Sequence, residues 1–212
     1  MVDEKQMKND TMIYICIPTT PERRERLAEL VQSIHENTKD MKYSIVVYEN
    51  EDGGWVKAVH NMLQGIDGYV VLLGSDTVVT KYWLSNLWRG FWAAFPCGDG
   101  VAQPHDDINK GRLAQHPLGH SKTILKYLDT DFIHNFSDDW MTLLLTAEEK
   151  YAYIPSSIII HNHFINRKAP RDETYNKVFS SYEQDQETFK RKFADWNRQT
   201  VENFESDRGF VV

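Results

Sequence analysis

Residues 13–34 read Ile13-Tyr14-Ile15-Cys16-Ile17-Pro18-Thr19-Thr20-Pro21-Glu22-Arg23-Arg24-Glu25-Arg26-Leu27-Ala28-Glu29-Leu30-Val31-Gln32-Ser33-Ile34, and their period changes midway. The first five are a continuous apolar, largely β-branched run stopped by Pro18, as in a parallel strand buried on both faces. Thr20, Pro21 and Glu22 then form a helix start: a threonine cap, a proline in the first turn and an acid at the positive end of the dipole. Leu27, Leu30, Val31 and Ile34 recur at helical spacing. A buried strand feeding an amphipathic helix is the opening half of a βαβ unit.

The pattern continues outward. Ser44–Tyr48 is a second apolar run, ending at the polar cluster Glu49-Asn50-Glu51-Asp52-Gly53-Gly54. The stretch from Trp55 to Gln64 places Val56, Val59 and Leu63 on one helical stripe. Tyr69–Leu73 is a third strand, closed by Gly74-Ser75-Asp76-Thr77. The β-α-β-α-β order predicts an α/β fold with a mostly parallel sheet and flanking helices. Beyond Thr80, the region from Lys81 to Phe95 predicts an aromatic helix packed into the core. The Gly-, Pro-, His- and Asp-rich segment Gly98–Ser121 predicts a long loop, of the kind used as lids or binding loops. A helix is expected over Asp138–Lys150 and a strand over Tyr153–Ile160, broken at Pro155. From Asp172 the aromatics Tyr175, Phe179, Tyr182, Phe189, Phe193 and Trp196 follow a helical stripe among charges, predicting a single long amphipathic helix. The resulting organisation is a flexible N-terminus (1–11), a sheet-forming half (12–97), a second half of the same domain (98–170) and a C-terminal helical extension (171–212).

The chain has 212 residues, with 24 Lys and Arg against 31 Asp and Glu, a formal charge of −7. A 41% hydrophobic and 12% aromatic content supports a packed core and excludes disorder as the dominant state. The acidity removes the bulk attraction on which non-specific nucleic-acid binding depends. Cys16 and Cys97 are too few for a disulfide framework. The charged opening MVDEKQMKND is not a signal peptide, and the longest apolar run is far short of a membrane span. These features predict a soluble, cytoplasmic protein.

Ligands of open parallel sheets bind beyond the carboxyl ends of the strands. Thr19 and Thr20, Glu49 and Asn50, and Ser75 and Asp76 all fall there. No GxGxxG or GxxxxGK[ST] motif follows the first strand, which disfavours a dinucleotide site or a P-loop. A divalent ion is then the expected phosphate partner, and one carboxylate such as Asp76 suffices when substrate phosphates and water complete the shell. In His161-Asn162-His163 an extended backbone puts both imidazoles on one face, and imidazole favours Mn2+ over Mg2+. Asp138 and Asp139 open a helix, where acids cap the dipole or serve as acid-base groups.

In the order and spacing of these segments, residues 12–164 resemble GT-A-fold glycosyltransferases, especially the family 2 type. IYICIPTTPERRERLAELVQSI is similar to that family's first strand, Pro-Thr turn and helix, and SIVVYENEDGG to its second strand. WVKAVHNMLQGIDGYVVLLGSDTVVTKYWLSNL resembles the helix with an internal Asn (Asn61) and the strand ending in the Asp-X-Asp metal motif, where Gly74 stands in place of the first acid. FSDDWMTLLLTAEEKYAYIPSSIIIHNHF resembles the acceptor-side helix, strand and terminal His.

The resemblance implies a GT-A, Rossmann-like fold in which residues 12–97 bind the nucleotide sugar and 98–170 face the acceptor. It implies a nucleotide-diphosphate sugar donor, UDP-sugars first, and inverting transfer to an acceptor hydroxyl. Asp76, His161 and His163 would hold Mn2+ or Mg2+. Thr19, Thr20, Glu49, Asn61 and Ser75 would hold the donor, and Asp138, with Asp139 beside it, would act as the base. The segment Gly98–Ser121 would then gate the acceptor. Three alternatives stay open: a nucleotidyltransferase, for which PTTPERR offers Arg23 and Arg24 but no glycine; a non-catalytic sugar-nucleotide or carbohydrate-binding module; and, within the enzyme reading, a viral-type transferase acting on a modified DNA base, a nucleic-acid acceptor that the acidity disfavours.

Overall fold

The computed structural model describes residues 11–50 and 54–207, with side chains to residue 200. The proposed flexible N-terminus up to Asp10, the acids Glu51 and Asp52, and the last five residues lie outside the described residues.

The first half follows the predicted alternation. Strand β1 (Ile13–Thr19) leads through a 3-10 turn (Pro21–Arg23) into helix α1 (Arg24–Asn37). Then come β2 (Tyr43–Glu49), α2 (Trp55–Leu63) and β3 (Tyr69–Leu72). β1 pairs in parallel with β2 and β3, with Thr19 beside Glu49 and Cys16 beside Leu72. Thr20 does not cap with its side chain; its hydroxyl meets that of Thr174 at 3.0 Å. The chain continues through β4 (Thr77–Val79), α3 (Trp83–Ala94), β5 (Val101–His105), β6 (Leu118–His120) and α4 (Ser121–Tyr127). It closes with α5 (Ser137–Ala147), β7 (Tyr151–His161), α6 (Glu173–Ser180) and α7 (Tyr182–Asp207). The sheet order is β2-β1-β3-β6-β5-β7-β4. β6 and β4 run antiparallel to their neighbours, so β1, β2, β3, β5 and β7 all point their carboxyl ends the same way.

Alternation along β1 builds the two core layers. Ile13, Ile15 and Ile17 pack with Leu30 and Ile34 of α1 and with Trp83, Trp88 and Phe91 of α3. Cys16 faces the other layer with Val56 and Val59 of α2, Ile124 of α4, and Trp140 and Met141 of α5. The α3 aromatics are therefore core: Tyr69 of β3 meets Trp88 edge-on at 4.9 Å.

Three expectations need correction. The segment Gly98–Ser121 is not one long loop, because β5 and β6 within it are central strands whose Val101, Ala102 and Leu118 are fully buried. Their pairing is only two residues long, too short to register as a strand pattern. β7 is not broken at Pro155; Pro104 pairs with Ile154 but His105 with Ile158, and the intervening bulge accommodates the missing N–H. The C-terminal helix is two helices parted at Ser181. Among the described residues no helix is long and apolar enough to cross a membrane.

Candidate functional site

Beyond the carboxyl ends of the parallel strands lies a cavity of about 440 Å³. Its walls bring together Thr19, Thr20, Ser75, Asp76, Asp138, Asp139, His161 and His163. Two residues expected in the site are not brought to it. The exposed Glu49 faces Arg24 at 3.6 Å, and Asn61 lies on the outer face of α2, donating to the Tyr48 hydroxyl at 3.3 Å.

Strand pairing delivers the histidine to the acid. In the antiparallel β4–β7 ladder Thr77 lies opposite His161, and the Asn162 N–H donates to the Asp76 carbonyl at 2.7 Å. The His161 backbone N–H is held by Asp107 at 2.8 Å. His161 Nε2 consequently lies 3.4 Å from Asp76 Oδ1. Asp76 Oδ2 accepts from Arg23 Nη1 at 3.2 Å and from the Tyr175 hydroxyl at 2.7 Å. Burial opposes the charge on Asp76, but the His161 contact, the Arg23 charge and the Tyr175 hydrogen bond outweigh it and hold the carboxyl well below the usual range. A β-carbon on Gly74 would lie 2.7 Å from Oδ1 of this pinned carboxylate. The arrangement therefore leaves no room for the first acid of an Asp-X-Asp motif.

The C-terminal region closes this corner. Asp172 caps α6 by accepting from the Tyr175 N–H at 3.1 Å, and it pairs with Arg23 at 3.3 Å and Arg26 at 3.2 Å. The Arg23 guanidinium stacks 4.4 Å from the Tyr175 ring centre, and His163 meets that ring at 4.4 Å. Burial and the His161 charge push His163 down to about 4.

Another wall is the start of α5. Phe136 enters it with φ 60°, a left-handed conformation that costs a non-glycine residue about 1–2 kcal/mol. The loop before it is anchored by Asp185 of α7, fully buried, whose carboxylate accepts the backbone N–H groups of Ile133, His134 and Asn135 at 2.8, 3.0 and 2.8 Å. Held this way, Asp138 and Asp139 sit side by side in the cavity wall. Burial raises Asp138, while burial and the Asp138 charge push Asp139 up to about 6. Two adjacent carboxyls that resist ionising together are a store for one proton. Gln115, which precedes β6, donates its amide to Asp138. Next to it, His116 is 3% exposed and meets His161 edge-on at 5.3 Å; burial and the His161 charge push it down to about 4.

Arg23, Gln115, His116, Asp172, Tyr175 and Asp185 are site residues that the sequence did not single out for the donor or acid-base roles. Arg23 stood out there as half of an arginine pair just after the Pro-Thr turn, Tyr175 as part of the C-terminal aromatic stripe, and His116, with His120, as a less favoured metal ligand.

Two donors in this corner are spaced for a divalent ion. Asp76 Oδ1 and His161 Nε2, 3.4 Å apart, have the spacing of two neighbouring ligands on bonds of about 2.1 Å. Among the described residues no group of three or more His, Cys, Asp or Glu side chains gathers to cage an ion. The residues thus fit an ion that takes its remaining ligands from phosphate and water.

No protein-family model matches the sequence, and no curated protein matches it. Solved structures do resemble it in three dimensions. One is glucosyl-3-phosphoglycerate synthase from Mycobacterium tuberculosis in complex with Mn2+, UDP-glucose and phosphoglyceric acid, at TM-score 0.52 and 12% identity, over 81% of this chain and 77% of that one. Another is the same synthase with Mg2+ and UDP, at TM-score 0.51 and 11% identity, over 77% and 76% of the two chains. The architecture is thus the GT-A fold of nucleotide-sugar glycosyltransferases, as the order of motifs led us to expect. At this identity the likeness is one of fold.

Proposed function

We propose that the protein is an inverting glycosyltransferase that moves a sugar from a nucleotide diphosphate to an acceptor hydroxyl. The observation that carries this reading is the presence, in one cavity, of two carboxylate sites in opposite electrostatic states. Asp76 is kept ionised by cationic partners, whereas Asp138 and Asp139 are kept proton-hungry by burial and by each other. A departing diphosphate needs positive charge nearby, and an attacking hydroxyl needs a group that takes its proton. A binding module has no use for the second feature.

The donor lies against the ends of β1 and β3, with Thr19, Thr20 and Ser75 offering hydroxyls to it. Asp76 and His161, with His163 alongside, would hold Mn2+ or Mg2+, which would supply Lewis-acid charge to the leaving diphosphate. Arg23 keeps Asp76 ionised and adds a fixed cation in the same corner. Asp138 receives the acceptor proton, and Asp139 shares it across the dyad. Helix α6 and the turn at Phe164 wall one side of the cavity, where they would reduce competition from water as acceptor.

The test is turnover of UDP-glucose and other nucleotide sugars, followed as release of nucleoside diphosphate with Mn2+ and with chelator. Asp138→Asn is expected to lower release by at least about a hundredfold while nucleotide affinity stays within about twofold. Undiminished release in Asp138→Asn refutes the base assignment. Failure of every nucleotide sugar to bind the wild-type protein refutes the function.

A further inference from the structure

Buried polar atoms are almost always hydrogen-bonded, and a group of them left without partners marks a place where something else bonds. Among the described residues, several such atoms lie together on one patch of the cavity. His116 has neither ring nitrogen satisfied, although the residue is 3% exposed; Gln115 Oε1 and His161 Nδ1 are likewise buried and unpartnered. All three residues line the cavity. The patch has a definite address. Its His161 end is in contact with Asp76, and its Gln115 end donates to Asp138. It therefore bridges the corner assigned to the diphosphate and the carboxyl assigned to the acceptor proton.

The chemistry of the patch is also definite. An imidazole ring offers a hydrogen-bonding nitrogen on each of two sides, and a primary amide already donating to a carboxylate offers an acceptor. A purely apolar occupant would leave these groups unsatisfied at a cost. Neutral hydroxyl groups, each able to donate and accept, match the set.

We propose that Gln115 and His116 form the subsite that reads the hydroxyls of the donor sugar, a neutral pyranose or furanose held between Asp76 and Asp138. This rests on the nucleotide-sugar reading above and extends it to two residues of the segment before β6. Gln115 has a double task here, because the amide that reads the sugar also orients Asp138 toward the acceptor.

The test is calorimetric titration of the full chain with UDP, UDP-glucose, UDP-galactose, GDP and GDP-mannose, in the wild-type protein, His116→Phe, His116→Gln and Gln115→Met. The sugar is expected to tighten binding of at least one diphosphate by roughly tenfold in the wild type. His116→Phe keeps the shape of the ring and is expected to erase that increment while the affinity for the bare diphosphate stays the same. His116→Gln, which restores a donor and an acceptor, is expected to recover part of it. A merely structural histidine would move both affinities together. Gln115→Met sits at a half-buried position that tolerates change, and its loss of the increment supports the proposal even where His116→Phe does not fold. The subsite is overturned by an increment that survives in both His116→Phe and Gln115→Met, or by a wild-type protein that binds diphosphates with no gain from any sugar. A wild-type protein that binds neither diphosphates nor nucleotide sugars overturns the underlying function as well, and the bare diphosphate titration tells that case apart.

Discussion

Asp185→Ala offers the sharpest check on how the cavity wall at the start of α5 is held. The carboxylate is fully buried and accepts three backbone N–H groups in succession, those of Ile133, His134 and Asn135, besides the Ser181 hydroxyl at 3.1 Å. Alanine leaves every one of these donors without its acceptor at once. Each buried N–H left unpaired costs about 1–1.5 kcal/mol, so the loss should reach about 3–4 kcal/mol. For a chain of this size each kcal/mol moves the melting temperature by roughly 2–4 °C, which predicts a drop on the order of 10 °C. Urea unfolding followed by circular dichroism measures the free energy directly, and an unchanged slope keeps the comparison valid. Asp185→Asn retains one acceptor oxygen and should fall between alanine and wild type. There is a functional counterpart. Once the loop is released, Phe136 can leave its left-handed conformation and the dyad at the start of α5 should separate, lowering the Asp139 midpoint toward an ordinary carboxyl value. A loss of under about 1 kcal/mol in Asp185→Ala, with the Asp139 midpoint unchanged, would refute the idea that α7 holds this wall.

Further outcomes follow from the same geometry. Asp139 is raised from 3.8 to about 6, so the folded state keeps a proton that the unfolded chain releases earlier. The stability it contributes is present below 3.8 and lost as the pH rises through about 6; melting temperature against pH should show this fall, and Asp139→Asn should flatten it. Asp76→Asn leaves Arg23 buried beside a neutral partner and should cost about 3 kcal/mol, whereas Tyr175→Phe removes the hydroxyl that donates to Asp76 and accepts from Arg26 and should cost about 1.5 kcal/mol. Because both changes act on one carboxylate, the double variant should cost less than the sum, as read in a double-mutant cycle. Asn61→Ala, on the outer face of α2, should leave the affinity for UDP within about twofold, as measured by calorimetry.

How much of this was legible in the sequence depended on the range of the signal. The first three strands announce themselves because each is a self-contained apolar run ended by polar or proline residues. Asp76, Asp138 and His161 were found because they follow recognisable strand and helix boundaries. β5 and β6 were missed, since their identity as strands comes from neighbours distant in the chain. The bulge at Pro155 was read as a break because proline removes an N–H, and the partner strand that absorbs the irregularity cannot be seen locally. Glu49 and Asn61 have plausible positions in the chain, but the direction of a side chain at a strand end or on a helix is set by packing. Arg23, Asp172 and Tyr175 are individually ordinary residues. Only the approach of α6 to the start of α1 turns them into partners of Asp76.

That approach imposes an order on the protein's birth. By His161 every strand of the sheet has been synthesised, along with Asp76 and the dyad of Asp138 and Asp139. Yet Asp76 still lacks the Tyr175 hydroxyl, Arg23 lacks Asp172, and the loop before α5 lacks Asp185. A nascent chain halted there would carry a nearly complete sheet with its ligand corner open and its acceptor wall slack. Helices α6 and α7 thus complete a cavity whose sheet precedes them in the chain.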